Sequence, residues 1–365
     1  MNFLYNPTGI LYNDLESAYS AKTYKLQIKK EKGIIRQKEI IPLKLFRPEC
    51  GWLESNEPED HLDNVAFELN KSFEKIDNIL CFSYKDLSLA NRVKHVNSNI
   101  DILFSNKKGL FANHFEEMEE EEIFEKIKNL KNKYNLVIIR HYLEHFENIE
   151  EIMSALRTRM SHKSICFLEV PDCNDFIKNK NPIFLWEQHR WYFTYSNILN
   201  WLKNLGWEIV KSYSVNYKME PSLCFYMRAS YSSFLEKINN SILFKDSKDN
   251  LSFEIFDDYL KGWEKYIKNS SNKFALIGIG HNSDRFLQWT NSKNNINYLI
   301  DDAPEKQGKF LAKCKIKIKR DKEILNQNTI ALLGVHPRNS ENIKVNLQKK
   351  FNLKNIFSIF NRAPK

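Results

Sequence analysis

The residues best able to do chemistry gather in two short stretches. The first is Arg140-His141-Tyr142-Leu143-Glu144-His145, which follows the apolar run Leu136-Val137-Ile138-Ile139. Imidazoles move protons near neutral pH and bind metal ions. If helical, the spacing of His141 and His145 would put both rings on one face, an arrangement that suits zinc. No third ligand stands nearby in the sequence, so no metal is expected, and Glu144 reads as a helix-start anchor or part of a ligand shell. The second stretch is Leu185-Trp186-Glu187-Gln188-His189-Arg190-Trp191-Tyr192-Phe193-Thr194. Taken alone, His189 reads as a histidine packed between Trp186 and Trp191. Asp101 is a third candidate, suited either to ligand hydroxyls or to an ordinary turn. Gly278-Ile279-Gly280, with Asp301 about 20 residues on, mimics a dinucleotide-binding fingerprint. Ser283 replaces its third glycine, and NAD is not expected.

Positioning these residues requires strands that alternate with helices. Ile79-Leu80-Cys81-Phe82, Ile100 to Phe104, Leu136 to Ile139 and Ser164 to Val170 read as buried strands. Between them, helical spacing covers 61–76, about 116–131 and a stretch beginning near Asn148, where Asn148 and Glu151 fit a capping box. A helix over 197–205 should stop at Gly206. Such alternation predicts an α/β, doubly wound, mostly parallel sheet covered on both faces. Ligands of such sheets bind beyond the carboxyl ends of the strands. Those ends carry Ser83-Tyr84-Lys85-Asp86-Leu87, Asp101, Arg140 to His145, and Pro171-Asp172.

The pattern restarts late in the chain. Strands are expected at 274–277, 296–300, 329–335 and 355–360, with a helix near 339–350. The expected organisation is an N-terminal arm or lid over 1–60, a first α/β domain over 61–230, a helical connector over 231–272 and a smaller Rossmann-like unit over 273–365.

A chain of 365 residues fits two or three domains. Hydrophobic residues make up 42%, enough for a folded interior. No apolar run approaches the roughly 18 residues of a membrane span. The first residues lack the pattern of a secretion signal, so a cytoplasmic location is expected. None of the six cysteines forms a C-x-x-C pair, and several lie in apolar runs as buried small hydrophobes. The net charge of +9 comes from lysines interleaved with acids. This reads as a solvated surface, one that would also suit a phosphorylated small molecule, rather than a nucleic-acid interface. Oligomeric state is left open.

The stretch from Leu136 to Asp172 resembles the class I S-adenosylmethionine (SAM) methyltransferases. Arg140 to Phe146 looks like their "H-x-L-E-H" segment, and Phe167-Leu168-Glu169-Val170-Pro171-Asp172 like their "E-x-P-D" strand exit. Trp186 to Thr194 is similar to the "Y-H-E-H-x-x-Y-F-S/T" segment of sugar C-methyltransferases. Gly278-Ile279-Gly280-His281 and Asp301-Asp302-Ala303-Pro304-Glu305-Lys306-Gln307-Gly308 look like that family's C-terminal signatures. The resemblance implies SAM as methyl donor and a nucleotide-linked sugar or related surface-polysaccharide precursor as acceptor. It implies His189, with Gln188, as the base beside a sugar carbonyl. It places Ser83, Tyr84, Asp86, Asp101, Arg140 and His141 around the cofactor, and Trp186, Tyr192, His145 and His281 around the substrate.

The chain also departs from the family. The cysteine zinc module is missing, and the glycines of the cofactor loop are replaced in Ser83-Tyr84-Lys85-Asp86-Leu87. Those glycines let the backbone approach a ligand with no Cβ in the way. Two alternatives therefore stay open. One is a SAM-independent enzyme that enolises and epimerises a ketosugar on the same fold. The other is a non-catalytic relative that binds a sugar nucleotide or a partner protein.

Overall fold

The computed structural model describes residues 11–12, 14–16, 28–31, 34–37, 57–94, 98–104, 120–185, 189–217, 220–229, 256–311, 313–320, 322 and 324–364. Most of the expected arm over 1–60, Trp186, Gln188, Cys50 and much of the expected connector lie outside the described residues.

The first sheet has six strands: β1 (Asn78–Ser83), β2 (Asn99–Phe104), β3 (Tyr134–Arg140), β4 (Met160–Pro171), β5 (Trp207–Asn216) and β6 (Pro221–Ala229). Their order is β2-β1-β3-β4-β6-β5. The first four are parallel. β6 runs antiparallel to both β4 and β5.

Successive side chains of a strand point to opposite faces, and each face acquires its own core. On one, Ile79, Cys81, Leu136 and Ile138 meet Val65 and Leu69 of α1 (His61–Ser72) and Leu89 and Val93 of α2 (Leu87–Val93). On the other, Leu80, Val137 and Ile139 meet α3 (Glu120–Asn129), α4 (Ile149–Thr158) and α5 (Tyr195–Asn204). Gly206 follows α5 with φ of 83°, the left-handed position that glycine adopts without strain. The capping box expected at Asn148 does not form, because that side chain makes no cap bond. Thr194 and Asn197 make one at the start of α5 instead.

The second sheet has strands β7 (Lys273–Ile277), β8 (Ile296–Ile300), β9 (Ile318–Lys319), β10 (Thr329–Leu333) and β11 (Ile356–Ser358). They are all parallel, in the order β9-β8-β7-β10-β11. With α6 (Asp257–Asn269), α7 (His281–Trp289) and α8 (Pro337–Phe351), this is the smaller Rossmann-like unit that the sequence predicts. The helix expected within a connector belongs to this unit's packing: Tyr259, Trp263 and Ile267 of α6 share a core with Phe286 and Leu276.

A crossover between β4 and α5 ties the two sheets together. Ile183 inserts into the second unit's core, and the Asn181 amide donates to the Phe360 carbonyl at 2.5 Å. Cys81, Cys166, Cys173, Cys224 and Cys314 are buried and unbridged. Among the described residues, no helix is long and apolar enough to cross a membrane.

Candidate functional site

The carboxyl ends of β1 and β3 lie side by side at the point where the strand order reverses. In sheets of this kind that point is a crevice for ligands. The β1 exit turns through Tyr84–Asp86 before α2 begins. Asp86 is fully buried, and one of its oxygens accepts the Ser83 amide at 2.9 Å. Burial pushes its carboxyl up to about 7, against the pull of Lys85. Asp86 therefore holds the turn from inside through one oxygen, while its other oxygen is buried without a partner. Lys85 reaches across the crevice. Its ammonium donates to the His141 carbonyl at 2.6 Å and sits 4.3 Å from the centre of the Tyr142 ring. A carbonyl and an aromatic face together make a seat for a cation.

The β3 exit divides sharply in direction. His141 has a left-handed backbone, φ 49°, and the residues on either side of it serve different faces. Arg140 faces the α1 side in a closed network. Its Nε donates to Glu169 at 2.7 Å, and its Nη2 is paired with Glu57 and lies 3.1 Å from the Tyr217 hydroxyl. Tyr217 donates to Glu169 at 2.5 Å, and His61 Nε2 lies 3.1 Å from the same oxygen. Burial alone would raise the Glu169 carboxyl, but Arg140 and His61 hold it well below the usual carboxylate range. His141 joins this side: its Nε2 lies 3.0 Å from Ser222 Oγ, and burial lowers the imidazole to about 3.

Glu144 and His145 lie in the single turn Leu143–His145, with Glu144 Oε1 3.7 Å from His141 Nδ1 and 3.8 Å from His145 Nε2. His145 and His189 meet edge to face, with ring centres 4.9 Å apart. Tyr192 is 6.3 Å from His189. Three bonds fix this approach. The Arg190 amide donates to the Glu144 carbonyl at 2.7 Å, the Trp191 indole to the Phe146 carbonyl at 2.6 Å, and Arg190 pairs with Glu147 at 3.1 Å. Glu144 is 1% exposed, and neither carboxylate oxygen has a hydrogen-bond partner. Burial pushes its carboxyl up to about 8, although Lys85 opposes the shift. Burial, Lys85 and Arg285 lower His189 to about 3, so its ring is neutral at physiological pH. His281 and Arg285 come from α7 of the second unit, and His189 is within electrostatic reach of both.

The structure therefore gathers His189, His145, Tyr192 and His281 with Glu144, which the sequence reads as a helix-start anchor or part of a ligand shell, and adds Lys85, to which the sequence assigns no site role. It separates others. Asp101 sits in the first half of β2, opposite Leu80 rather than beside Ser83 at the carboxyl end. Its carboxylate accepts from Tyr134 at 2.7 Å and lies 3.4 Å from the Asn132 amide, so it does not face the crevice. Arg140 and His141 are turned into the buried network, and Asp86 into the turn. His141 and His145 are not on a helix, since a left-handed residue and a short turn stand there, yet both rings flank Glu144, with His141 Nδ1 at 3.7 Å and His145 Nε2 at 3.8 Å from Oε1.

A model of the methyltransferase domain family matches residues 50–212. The matched stretch is similar to that family's methyltransferase domain. It spans the six-stranded sheet up to β5 and includes every residue of the site except those contributed by α7. Among solved structures, a SAM-dependent methyltransferase from Clostridium acetobutylicum is 8% identical with a TM-score of 0.30, covering 46% of this chain and 90% of its own. Magnesium protoporphyrin IX methyltransferase from Synechocystis, with bound S-adenosylhomocysteine, is 13% identical with a TM-score of 0.33, over 47% and 83%. An N-methyltransferase from Bradyrhizobium japonicum, in complex with S-adenosylhomocysteine, is 8% identical with a TM-score of 0.34, over 48% and 90%. No curated protein matches the chain.

Proposed function

We propose that the chain is a class I SAM-dependent methyltransferase acting on a small polar acceptor of the nucleotide-linked sugar kind. The observation that carries this reading is the cation seat at the switch point of the methyltransferase domain, made by the His141 carbonyl and the Tyr142 ring around an ammonium. SAM bears a sulfonium and an ammonium, and either group suits such a seat. The cofactor would supply an electrophilic methyl group. Lys85 is the tenant that must move, and a half-buried lysine on a flexible stem can swing into solvent. Ser83 Oγ, buried at the same turn without a partner, is an additional polar contact for the ligand.

The acceptor would lie against His189, His145 and Tyr192, with His281 closing the pocket from the second unit. His189 and His281 are the half-exposed members of the cluster, and His189 is the proposed proton acceptor. Trp186 and Gln188, its neighbours in sequence, would shape the acceptor's berth.

Calorimetric titration of the full chain with SAM tests the first half of this reading. Saturable binding is expected, and none at millimolar SAM would overturn it. Label transfer from methyl-labelled SAM to nucleotide-linked ketosugars tests the second half, and His189→Ala should abolish it. The presence of Lys85 in the seat favours a second reading. Without a methyl donor, a base at His189 would remove the proton beside a ketosugar carbonyl, and a water on the opposite face would protonate the enolate, inverting that carbon. Solvent deuterium entering a ketosugar in the absence of SAM would select that alternative.

A further inference from the structure

Besides the crevice at the switch point, three polar clusters among the described residues could do chemistry. The first surrounds Glu169, the second is the Asp301 loop of the second unit, and the third is Glu144 with His145 and His189. The first two are internally satisfied. His61, Glu169 and Cys224 bring ligand-type atoms together, but Glu169 already accepts from Arg140 and Tyr217 and contacts His61. Asp301 accepts two backbone amides and the Lys306 ammonium. The third cluster differs, since a buried carboxylate there has no hydrogen-bond partner on either oxygen.

We propose that Glu144, His145 and His189 form a binding site for a divalent first-row cation of the zinc class, with an open position facing the acceptor pocket. One ligand atom from each residue lies within 4.8 Å of the other two. His145 Nε2 is 3.8 Å from Glu144 Oε1. A cation bound at roughly 2.0–2.2 Å from each ligand atom needs those atoms about 3–3.5 Å apart. Side-chain shifts of about 1 Å, within rotamer freedom, close the set. Two imidazoles and one carboxylate suit zinc, cobalt or iron(II) better than the all-oxygen cations calcium and magnesium.

The charges around the cluster allow this. Glu144 itself, Glu169 and Glu220 are the acidic groups that act on it, and Lys85 and Arg285 the basic ones. The charge of Glu169 is already spent on Arg140. A bound cation would satisfy the Glu144 carboxylate, from which His141 Nδ1 and His145 Nε2 lie 3.7 and 3.8 Å away. The clamp from Arg190 to the Glu144 carbonyl holds the His189 segment at the distance the site requires.

Three protein ligands leave a position for water or for an oxygen of the acceptor, whose acidity the cation would raise. With the cation bound, His189 would be a ligand rather than the base, and the proton of the cation-bound oxygen would pass to bulk water. The inference shares its pocket with the functional reading above but does not depend on SAM.

The full chain, stripped with chelator and titrated with cobalt(II) chloride, gives a direct readout. One equivalent should bind, with visible d–d bands and no thiolate charge-transfer band in the near ultraviolet. Loss of outer-shell partners already weakens metal sites by about 10–100-fold, so Glu144→Gln and His189→Ala should each weaken binding by at least about 100-fold. Cys224→Ala should leave it unchanged. Circular dichroism melts check folding. If Glu144→Gln fails to fold, the half-exposed His189→Ala decides. The proposal is overturned if cobalt does not saturate, if His189→Ala binds it normally, or if a thiolate band appears and is lost with Cys224→Ala. SAM calorimetry on the same preparation separates the two readings. SAM binding without cobalt removes this site only, and cobalt without SAM removes only the methyltransferase reading.

Discussion

The two sheets end in loops at the same topological position, and the loops are built from opposite materials. After β1 the chain turns through Ser83, Tyr84, Lys85 and Asp86 with no glycine, yet the crevice beside it contains the cation seat. After β7 it turns through Gly278-Ile279-Gly280, which looks far more like a nucleotide-binding loop. That second loop is tightly packed at Gly278 and open at Gly280. Gly278 has φ of 83°, and a Cβ there would lie 2.3 Å from Val335 Cγ1. Asp301, where a ribose-binding acid would stand, instead accepts the Ile279 and Ala303 amides at 2.6 and 2.9 Å. A cavity of about 340 Å³ adjoins the loop, lined in part by Asp302, Lys322, Asn346 and Lys350. Glycine in such a loop can thus serve packing as readily as ligand approach. What distinguishes a site is the polar group that the fold leaves unpaired.

Four perturbations sharpen or break this comparison, the largest first. Arg140→Ala strands Glu169 as an uncompensated buried charge, and urea unfolding should show a loss of about 3–5 kcal/mol. A loss well under 1 kcal/mol would mean that the network is not the closed structural unit described. Gly278→Ala forces a Cβ against Val335 in a left-handed conformation, and should cost about 3 kcal/mol in the same measurement. If that variant is as stable as the parent, the glycine was available for a ligand after all.

The third concerns Asp86, whose folded pKa of about 7 lies above its ordinary 3.8. A carboxyl raised in this way favours the folded state fully below about pH 4, and that contribution is lost as pH rises through 7. Asp86→Asn should therefore be more stable than the parent by about 2 kcal/mol at pH 8, with the gain shrinking toward pH 4. A gain independent of pH would show that charge is not the cause. The smallest effect belongs to Lys85→Met, which empties the cation seat. SAM affinity should rise about tenfold by calorimetry, or about 1.4 kcal/mol. A fall in affinity would make Lys85 a ligand contact instead of a competitor.

Much of the fold was legible because apolar runs fix strands and helical spacing fixes their covers. β1, β3, β7 and β8 lie within two residues of their expected limits at each end. The β5–β6 hairpin escaped notice. β5 is an edge strand, and apart from Trp207 its side chains are exposed or half-exposed, so it lacks the apolar run of a central strand. Asp101 shows a subtler limit. A short apolar run reveals a strand but not which end of it meets the crevice, and a shift of three residues moves a carboxylate from a ligand to Tyr134. The pairing of His145 with His189 had no local signature, because it is made by backbone bonds between segments far apart in sequence. The signal that could have raised Glu144 was its place between two histidines, His141 and His145.

The left-handed residue His141 acts as a partition in heredity as well as in space. Changes at Arg140 should be felt as insoluble or short-lived protein, whereas changes at Glu144 or His145 should yield abundant, well-folded protein with altered reactivity. A screen for expression would therefore see one side of that single backbone twist and overlook the other. A library confined to the second side could explore new chemistry while leaving the scaffold's durability untouched.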